Sequence, residues 1–299
     1  MELWIPVTVA AAFLQNLRMV FQKQLKSSLT TGGATFSRFV FALPFAIVFA
    51  AVMQNIQVGA PPEPNAQFML YCALGGVAQI MATGLLVAIF SHRNFAVGTA
   101  YSKTETVQTV FLGLIVLGEA VSGQALLGIL ISLLGVLAIS FAQTGWNRYM
   151  LRDLVGKPAL TGIASGTCLA MSVVCYRAGS LSLGGDGFLA QASLTLAVAL
   201  VIQCVVMALW LKIREPGQAM ATIRAWRIAL PAGVSGFAAS ACWFVAMTIQ
   251  NAAYVRALGQ VELVFTFAAS WFIFKERSKP AEVVGVALIC GGIVVLVLR

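Results

Sequence analysis

The chain has 299 residues, of which 60% are hydrophobic and only 10% charged, with a net charge of +9 and a mean hydropathy of +0.91. A soluble domain carries roughly 25% charged residues, so this chain has too few to cover a surface facing water, and lipid contact accounts for the shortage. Its basic residues stand singly between apolar runs, which argues against a nucleic-acid partner and suits orientation in a bilayer and contact with anionic headgroups.

At about 20 apolar residues per crossing, the pattern predicts ten spans: near 3–22, 34–53, 67–90, 95–117, 122–142, 158–178, 187–210, 227–249, 253–274 and 280–298. Turn chemistry marks the breaks. Thr30-Thr31-Gly32-Gly33 follows the first span, Pro61-Pro62-Glu63-Pro64 separates the second and third, and Gly184-Gly185-Asp186-Gly187 separates the sixth and seventh. The first span lacks a basic segment before it, so no cleaved signal peptide is expected.

The chain repeats itself. At an offset of 157, residues 76–139 fall on 233–296 without a gap: Asn94 meets Asn251, Glu105 meets Glu262, Glu119 meets Glu276, Gly128 meets Gly285 and Gly135 meets Gly292. The N-terminal spans repeat more weakly at 152, with Gly32-Gly33 and Phe36 on Gly184-Gly185 and Phe188. The expected organisation is a first five-helix repeat over 1–145, a basic linker over 146–157 and a second five-helix repeat over 158–299. The expected class is therefore an all-α polytopic membrane protein. An odd number of crossings per half makes the repeats inverted, related by an axis in the membrane plane.

Loop charges set the orientation. Thirteen basic residues fall on one side: Lys23, Lys26, Arg93, Arg148, Arg152, Lys157, Lys212, Arg214, Arg224, Arg227, Lys275, Arg277 and Lys279. Only Arg177, Arg256 and Arg299 fall on the other. The positive-inside rule puts the crowded side in the cytoplasm and both termini outside.

Ten spans in two halves, with Leu117-Gly118-Glu119 before a helix carrying Gly128 and Gly135, and Lys275-Glu276 before Gly285 and Gly292, resemble the EamA-type transporters of the drug/metabolite transporter superfamily. The resemblance covers nearly the whole chain and rests more on the duplication than on any one motif. It implies a multi-pass protein of a bacterial-type inner membrane that exports amino acids or related metabolites. The orientation read from the charges is the reverse of the arrangement common in that family.

Polar residues inside the spans are the candidates for function, because a charge at the bilayer centre costs roughly 2.5–3.5 kcal/mol on insertion scales and must face protein or water. Span four is the richest. Tyr101, Glu105 and Gln108 would share one face of a continuous helix, with Lys103 on a neighbouring face. In span nine the candidates are Arg256, Gln260 and Glu262. These groups could form a central substrate pocket, or Glu105 or Glu262 could form a buried ion pair with Lys103 or Arg256 that ties the halves together. Gln15 on span one, Gln79 on span three, Ser172 and Tyr176 on span six and Trp243 on span eight complete the candidate substrate-binding set, each with helix packing as the plainer alternative. Arg18 reads either as a snorkelling or as a cavity-lining residue. Glu119 and Glu276 precede helix starts, where a carboxylate favours the free amides. The glycine pairs seven apart permit close helix packing.

Neither a Walker loop nor a GxGxxG occurs. The six cysteines lie singly in apolar runs, and His92 is the only histidine, so no cofactor, metal site or enzymatic activity is expected. The expected function is a secondary transporter exporting a small polar metabolite, an amino acid, by alternating access, with the substrate and the lipid bilayer as its partners and no obligate protein partner. A zwitterion would find Lys103 or Arg256 for its carboxylate and Glu105 or Glu262 for its ammonium. The alternatives are a broad exporter of cationic drugs, against which Lys103 and Arg256 speak, and, from another class, an intramembrane enzyme or lipid-handling protein.

Overall fold

Apolar runs this long fold as helices, because in lipid every backbone N–H and C=O must be satisfied within its own segment. The computed structural model describes residues 2–25, 29–89, 95–144, 156–272 and 279–298. His92, Arg93, the linker up to residue 155 and the pair Lys275-Glu276 lie outside them. Among the described residues the regular elements are all helices. In chain order they are α1 (Trp4–Leu25), α2 (Thr31–Val40), α3 (Leu43–Ile56), α4 (Ala66–Ile89), α5 (Phe95–Ser102), α6 (Glu105–Leu117) and α7 (Gly123–Thr144). There follow α8 (Lys157–Ser182), α9 (Phe188–Arg214), α10 (Gln218–Arg224), α11 (Trp226–Ile249), α12 (Ala252–Leu258), α13 (Val261–Phe272) and α14 (Pro280–Val297).

Among the described residues eight helical stretches are long and apolar enough to cross a membrane: Trp4–Phe21, Thr31–Ile56, Ala66–Ile89, Gly123–Ser140, Lys157–Ser182, Phe188–Arg214, Trp226–Ile249 and Pro280–Val297. The two remaining expected crossings, 95–117 and 253–274, are each broken into a pair of short helices, α5 with α6 and α12 with α13. This corrects the expectation of a continuous helix there, and the cause is local. Ser102 Oγ donates to Thr99 O at 2.7 Å and Thr104 Oγ1 to Tyr101 O at 2.6 Å, so side chains compete for the carbonyls a continuing helix would use. Lys103 N and Thr104 N then bond three residues back, to Ala100 O and Tyr101 O, which tightens the turn. In the second pair Gln260 N and Glu262 N bond three back as well, to Ala257 O and Gly259 O. An offset of 157 carries Ser102-Lys103 onto Gly259-Gln260, so the two breaks occupy matching positions.

The chain divides into two compact units, one of residues 1–77 and 175–250, the other of 78–174 and 251–299. The division falls inside α4 and α8, and each unit takes residues from both sides of the linker.

In the first unit α1 packs along α11, and α9 packs on α2, α3 and α11. Gln15 meets Trp243, and one turn further along α1 the Arg18 stem crosses Gly236, so α1 and α11 run antiparallel. Thr30 caps α2, its hydroxyl accepting from Gly33 N at 3.1 Å. A side chain at Gly233 would strike Phe41. Arg177 closes the C-terminal end of α11, its Nη1 donating to Met247 O at 2.5 Å and Gln250 O at 2.6 Å.

In the second unit α7 packs along α14. A Cβ at Gly128 would stand 2.7 Å from Gly292 O, and one at Gly285 would stand 2.7 Å from Gly135 O. The two backbones touch at both crossings, the close approach the glycine spacing predicts. Ser122 rather than Glu119 accepts the bond from Ala125 N at the start of α7, at 3.1 Å. At the start of α14 it is Glu282, in the first turn, that accepts from Lys279 N at 3.0 Å.

Candidate functional site

The broken helices bring four candidates of the second unit together. Lys103 sits in the first break and Glu105 opens α6. Arg256 is in the last turn of α12, and Glu262 is in the first turn of α13. Glu105 Oε1 and Arg256 Nη2 form a salt bridge with side chains 8% and 15% exposed. Of the two alternatives for span four, the ion pair is therefore realised, and it joins residues from the two halves of the sequence. Lys103, Thr106, Gln260 and Glu262 line the same space beside the pair, whose free volume is about 20 Å³. A single water needs about 10–15 Å³, so the space admits one water and no metabolite.

Polar bonds extend around this space. Gln260 Nε2 donates to Thr106 Oγ1 at 2.8 Å, and Gln108 Nε2 donates to Thr104 Oγ1 at 2.8 Å. The opposite amide oxygens, Gln108 Oε1 and Gln260 Oε1, are buried without a partner among the described residues, as is Ser172 Oγ on α8. A buried acceptor left unpaired costs about 1–3 kcal/mol, a cost that a donor from water or substrate removes. Tyr101 is half-buried, with its Cβ against Gly162. It does not continue the face of Glu105 and Gln108, because α5 ends at Ser102 and the helical register is lost between them. Gln79 lies on α4 in this unit, its carbonyl accepting from Thr83 Oγ1 at 2.9 Å.

The remaining candidates lie in the first unit. Gln15 Oε1 accepts from Trp243 Nε1 at 3.0 Å, so the indole is held by a hydrogen bond as well as by packing. The Tyr176 hydroxyl accepts from Gln203 Nε2 at 3.0 Å, and its ring lies 4.7 Å from that of Phe244. Sequence reasoning passed over Gln203, 2% exposed in the middle of α9, and Arg38 on α2. Both could have been found by the rule that singled out Lys103, namely a strongly polar side chain inside an apolar run. A cavity of about 470 Å³ in this unit is lined by Leu14, Leu17, Phe21, Leu230, Pro231 and Val234 with Arg227. Its wall is almost wholly carbon and offers a polar solute little.

Comparison with known proteins adds three findings. The model of the EamA-like transporter family matches residues 2–141 and again residues 157–298. No curated protein matches the sequence. Among solved structures, a chain described only as "Crystal structure of protein" is similar with a TM-score of 0.70 at 13% identity, over 99% of this chain and 97% of that one. At that identity the likeness concerns the fold alone.

Proposed function

The chain belongs to the EamA-like transporter family, a family of multi-pass membrane transporters, and we propose from that premise that it exports a small polar metabolite, an amino acid, by alternating access. The observation that carries the reading is the pair of broken helices. Each interrupts a segment expected to cross the bilayer, and together they place Lys103, Glu105, Arg256 and Glu262 around one space. Irregular backbone and charge at membrane depth are tolerated where they are buried in protein or line a path for a solute. Discontinuous helices at corresponding positions of two repeats are the usual construction of such a path.

In this reading the Glu105–Arg256 pair is a gate. The space beside it is too small for a metabolite, so the substrate ammonium reaches Glu105 or Glu262 when the pair opens, and Gln108, Gln260 and Ser172 supply acceptors now unpartnered. Two inverted five-helix repeats over 1–145 and 158–299 in a bacterial-type inner membrane complete the proposal. The two-fold match of the family model, the matching breaks, and the crossed contacts of Gly128 with Gly292 and Gly135 with Gly285 support it. A two-fold axis exchanges contacts in this reciprocal way. The cationic-drug reading is weaker, because Arg256 already neutralises Glu105 and Lys103 stands beside them.

The test is counterflow. Purified protein in liposomes preloaded with an unlabelled amino acid should accumulate the labelled one above protein-free vesicles. Accumulation of a quaternary ammonium dye alone would favour the drug reading instead.

A further inference from the structure

The cavity of the first unit shares no residue with the glutamate cluster. Leu14, Leu17 and Phe21 fall three and four residues apart on one face of α1, and Arg227, Leu230, Val234 and Ala238 do the same on α11. These two faces are its walls. Ser235 and Ala238 on the α11 side are too short to fill the space opposite the leucines. Ser235 Oγ donates to Pro231 O at 2.6 Å, so the hydroxyl on the wall is already used. Leu17, Pro231 and Val234 are exposed, which makes the cavity a groove open along its side rather than a sealed void.

Arg227 is the only charged group among the described lining residues, and it stands in the first turn of α11. It forms no ion pair among the described residues. Its Cζ lies 5.5 Å from the centroid of the Trp226 ring, which is itself half exposed. Stacking uses the face of the guanidinium plane and leaves the N–H groups at its edge to donate. An exposed tryptophan beside a basic residue at a helix end is the usual composition of the membrane–water boundary. Lys212 and Arg214 lie in the last turn of α9 and Arg224 in that of α10, so this end of the unit is basic. Its one acid, Glu215, bonds the Thr30 hydroxyl.

Carbon walls with a single cation at the boundary end match the two parts of a lipid. From Arg227 to Ala238 a helix rises about 16 Å at roughly 1.5 Å per residue. That is about half of a hydrocarbon core of roughly 30 Å, the depth one acyl chain reaches below its own headgroup. We propose that the groove between α1 and α11 binds an anionic phospholipid, its phosphate on Arg227 and one acyl chain along Leu17, Leu230 and Val234. The guanidinium edge fits a phosphate with two parallel bonds. A zwitterionic lipid brings its own cation to the same phosphate, so the site favours a headgroup without one. Basic pockets between membrane helices select anionic headgroups on this principle. The site stands apart from the transport reading and does not require it.

Native mass spectrometry of the purified full chain in a neutral detergent counts the lipids it retains. The probes are phosphatidylglycerol and phosphatidylcholine with the same two acyl chains, and inorganic phosphate alone. The wild type should retain one phosphatidylglycerol at concentrations where it retains no phosphatidylcholine. Arg227→Gln should weaken phosphatidylglycerol about five-fold, the share one basic residue near an anionic surface supplies, and Arg227→Lys should keep the preference. Val234→Trp fills the groove and leaves the charge, and it should weaken the lipid as well. Both positions are exposed, so these variants should melt as the wild type does without lipid. Arg214→Gln removes a charge from the same end that does not line the groove, and it should change little. Equal retention of the two lipids overturns the site, as does phosphatidylglycerol binding unchanged by Arg227→Gln or by Val234→Trp. An equal loss in Arg214→Gln overturns it too, by showing a diffuse basic surface. If inorganic phosphate raises the melting temperature as much as the lipid does, the arginine holds a small anion and the proposal fails. A dimer in lipid-free detergent that Val234→Trp dissociates would put a second copy of the chain in the groove, and the proposal fails again.

Discussion

At the scale of single residues, Glu105 and Arg256 carry the sharpest stability prediction. Removing one partner of a buried ion pair strands the other, at a cost on the order of 3–5 kcal/mol in soluble cores. In a bilayer the unfolded reference also finds polar partners, so a smaller loss, about 1–2 kcal/mol, is expected here. Glu105→Gln should lower the melting temperature, and adding Arg256→Gln should recover most of the loss. A double variant no more stable than the single one would show that the pair is not the relevant contact. Arg177 is the second case. The sequence counts it only as one of three basic residues on the sparsely charged side, and in the structure it is 8% exposed and binds the carbonyls that end α11. Arg177→Ala should destabilise by about 2–3 kcal/mol, since bonds to a charged group are worth roughly 1.5–3 kcal/mol, and Arg177→Lys should rescue it only in part, because a single ammonium cannot reproduce the fork. The ion pair was legible as one of two alternatives because acid and base stood at matching depth in the sequence. The Arg177 cap was not, because its partners are backbone atoms some seventy positions away in the chain and carry no sequence signature.

At the scale of elements, the contact of α7 with α14 follows from glycines alone. Each backbone stands where the other's Cβ would be, so Gly135→Leu cannot be absorbed by a rotamer change and must separate the helices. The expected cost is about 1–3 kcal/mol, the range for overpacked cores, read as a lower melting temperature in detergent. Gly123→Leu is the control, because a Cβ at Gly123 meets nothing within 4 Å. Equal effects of the two substitutions would refute glycine-dependent packing. Eight crossings could be placed from the apolar runs because composition and length suffice for that. The breaks at 103–104 and 259–260 could not, because the first contains neither Gly nor Pro and apolar residues continue on both sides. What breaks it is the hydroxyls of Ser102 and Thr104 bonding back to the chain, and the same residues also occur in unbroken helices. Thr8 on α1 bonds back to Trp4 O at 2.7 Å, and that helix runs on.

At the scale of the whole molecule, the duplicated sequence and the compact units cut the chain differently. The repeat runs along the sequence, whereas each unit gathers residues from both halves, and no property of a linear pattern announces which helices of two similar halves will pack together. Orientation, in contrast, is a property the linear pattern does carry, because insertion responds to Lys and Arg in short loops near the helix ends. The tally is thirteen basic residues against three. Arg256, one of the three, is an ion-pair partner on α12, and Arg177 caps α11. A reporter fused after Arg299, either alkaline phosphatase or a fluorescent protein that matures only in the cytoplasm, should read non-cytoplasmic. Phosphatase activity with a dark fluorescent fusion is the expected pair of results. The opposite pair would mean that the crowded loops face away from the cytoplasm, and the orientation derived from charge would be abandoned. The proposal of two inverted repeats would survive that outcome, since turning the molecule over exchanges its sides and leaves the number of crossings in each half unchanged.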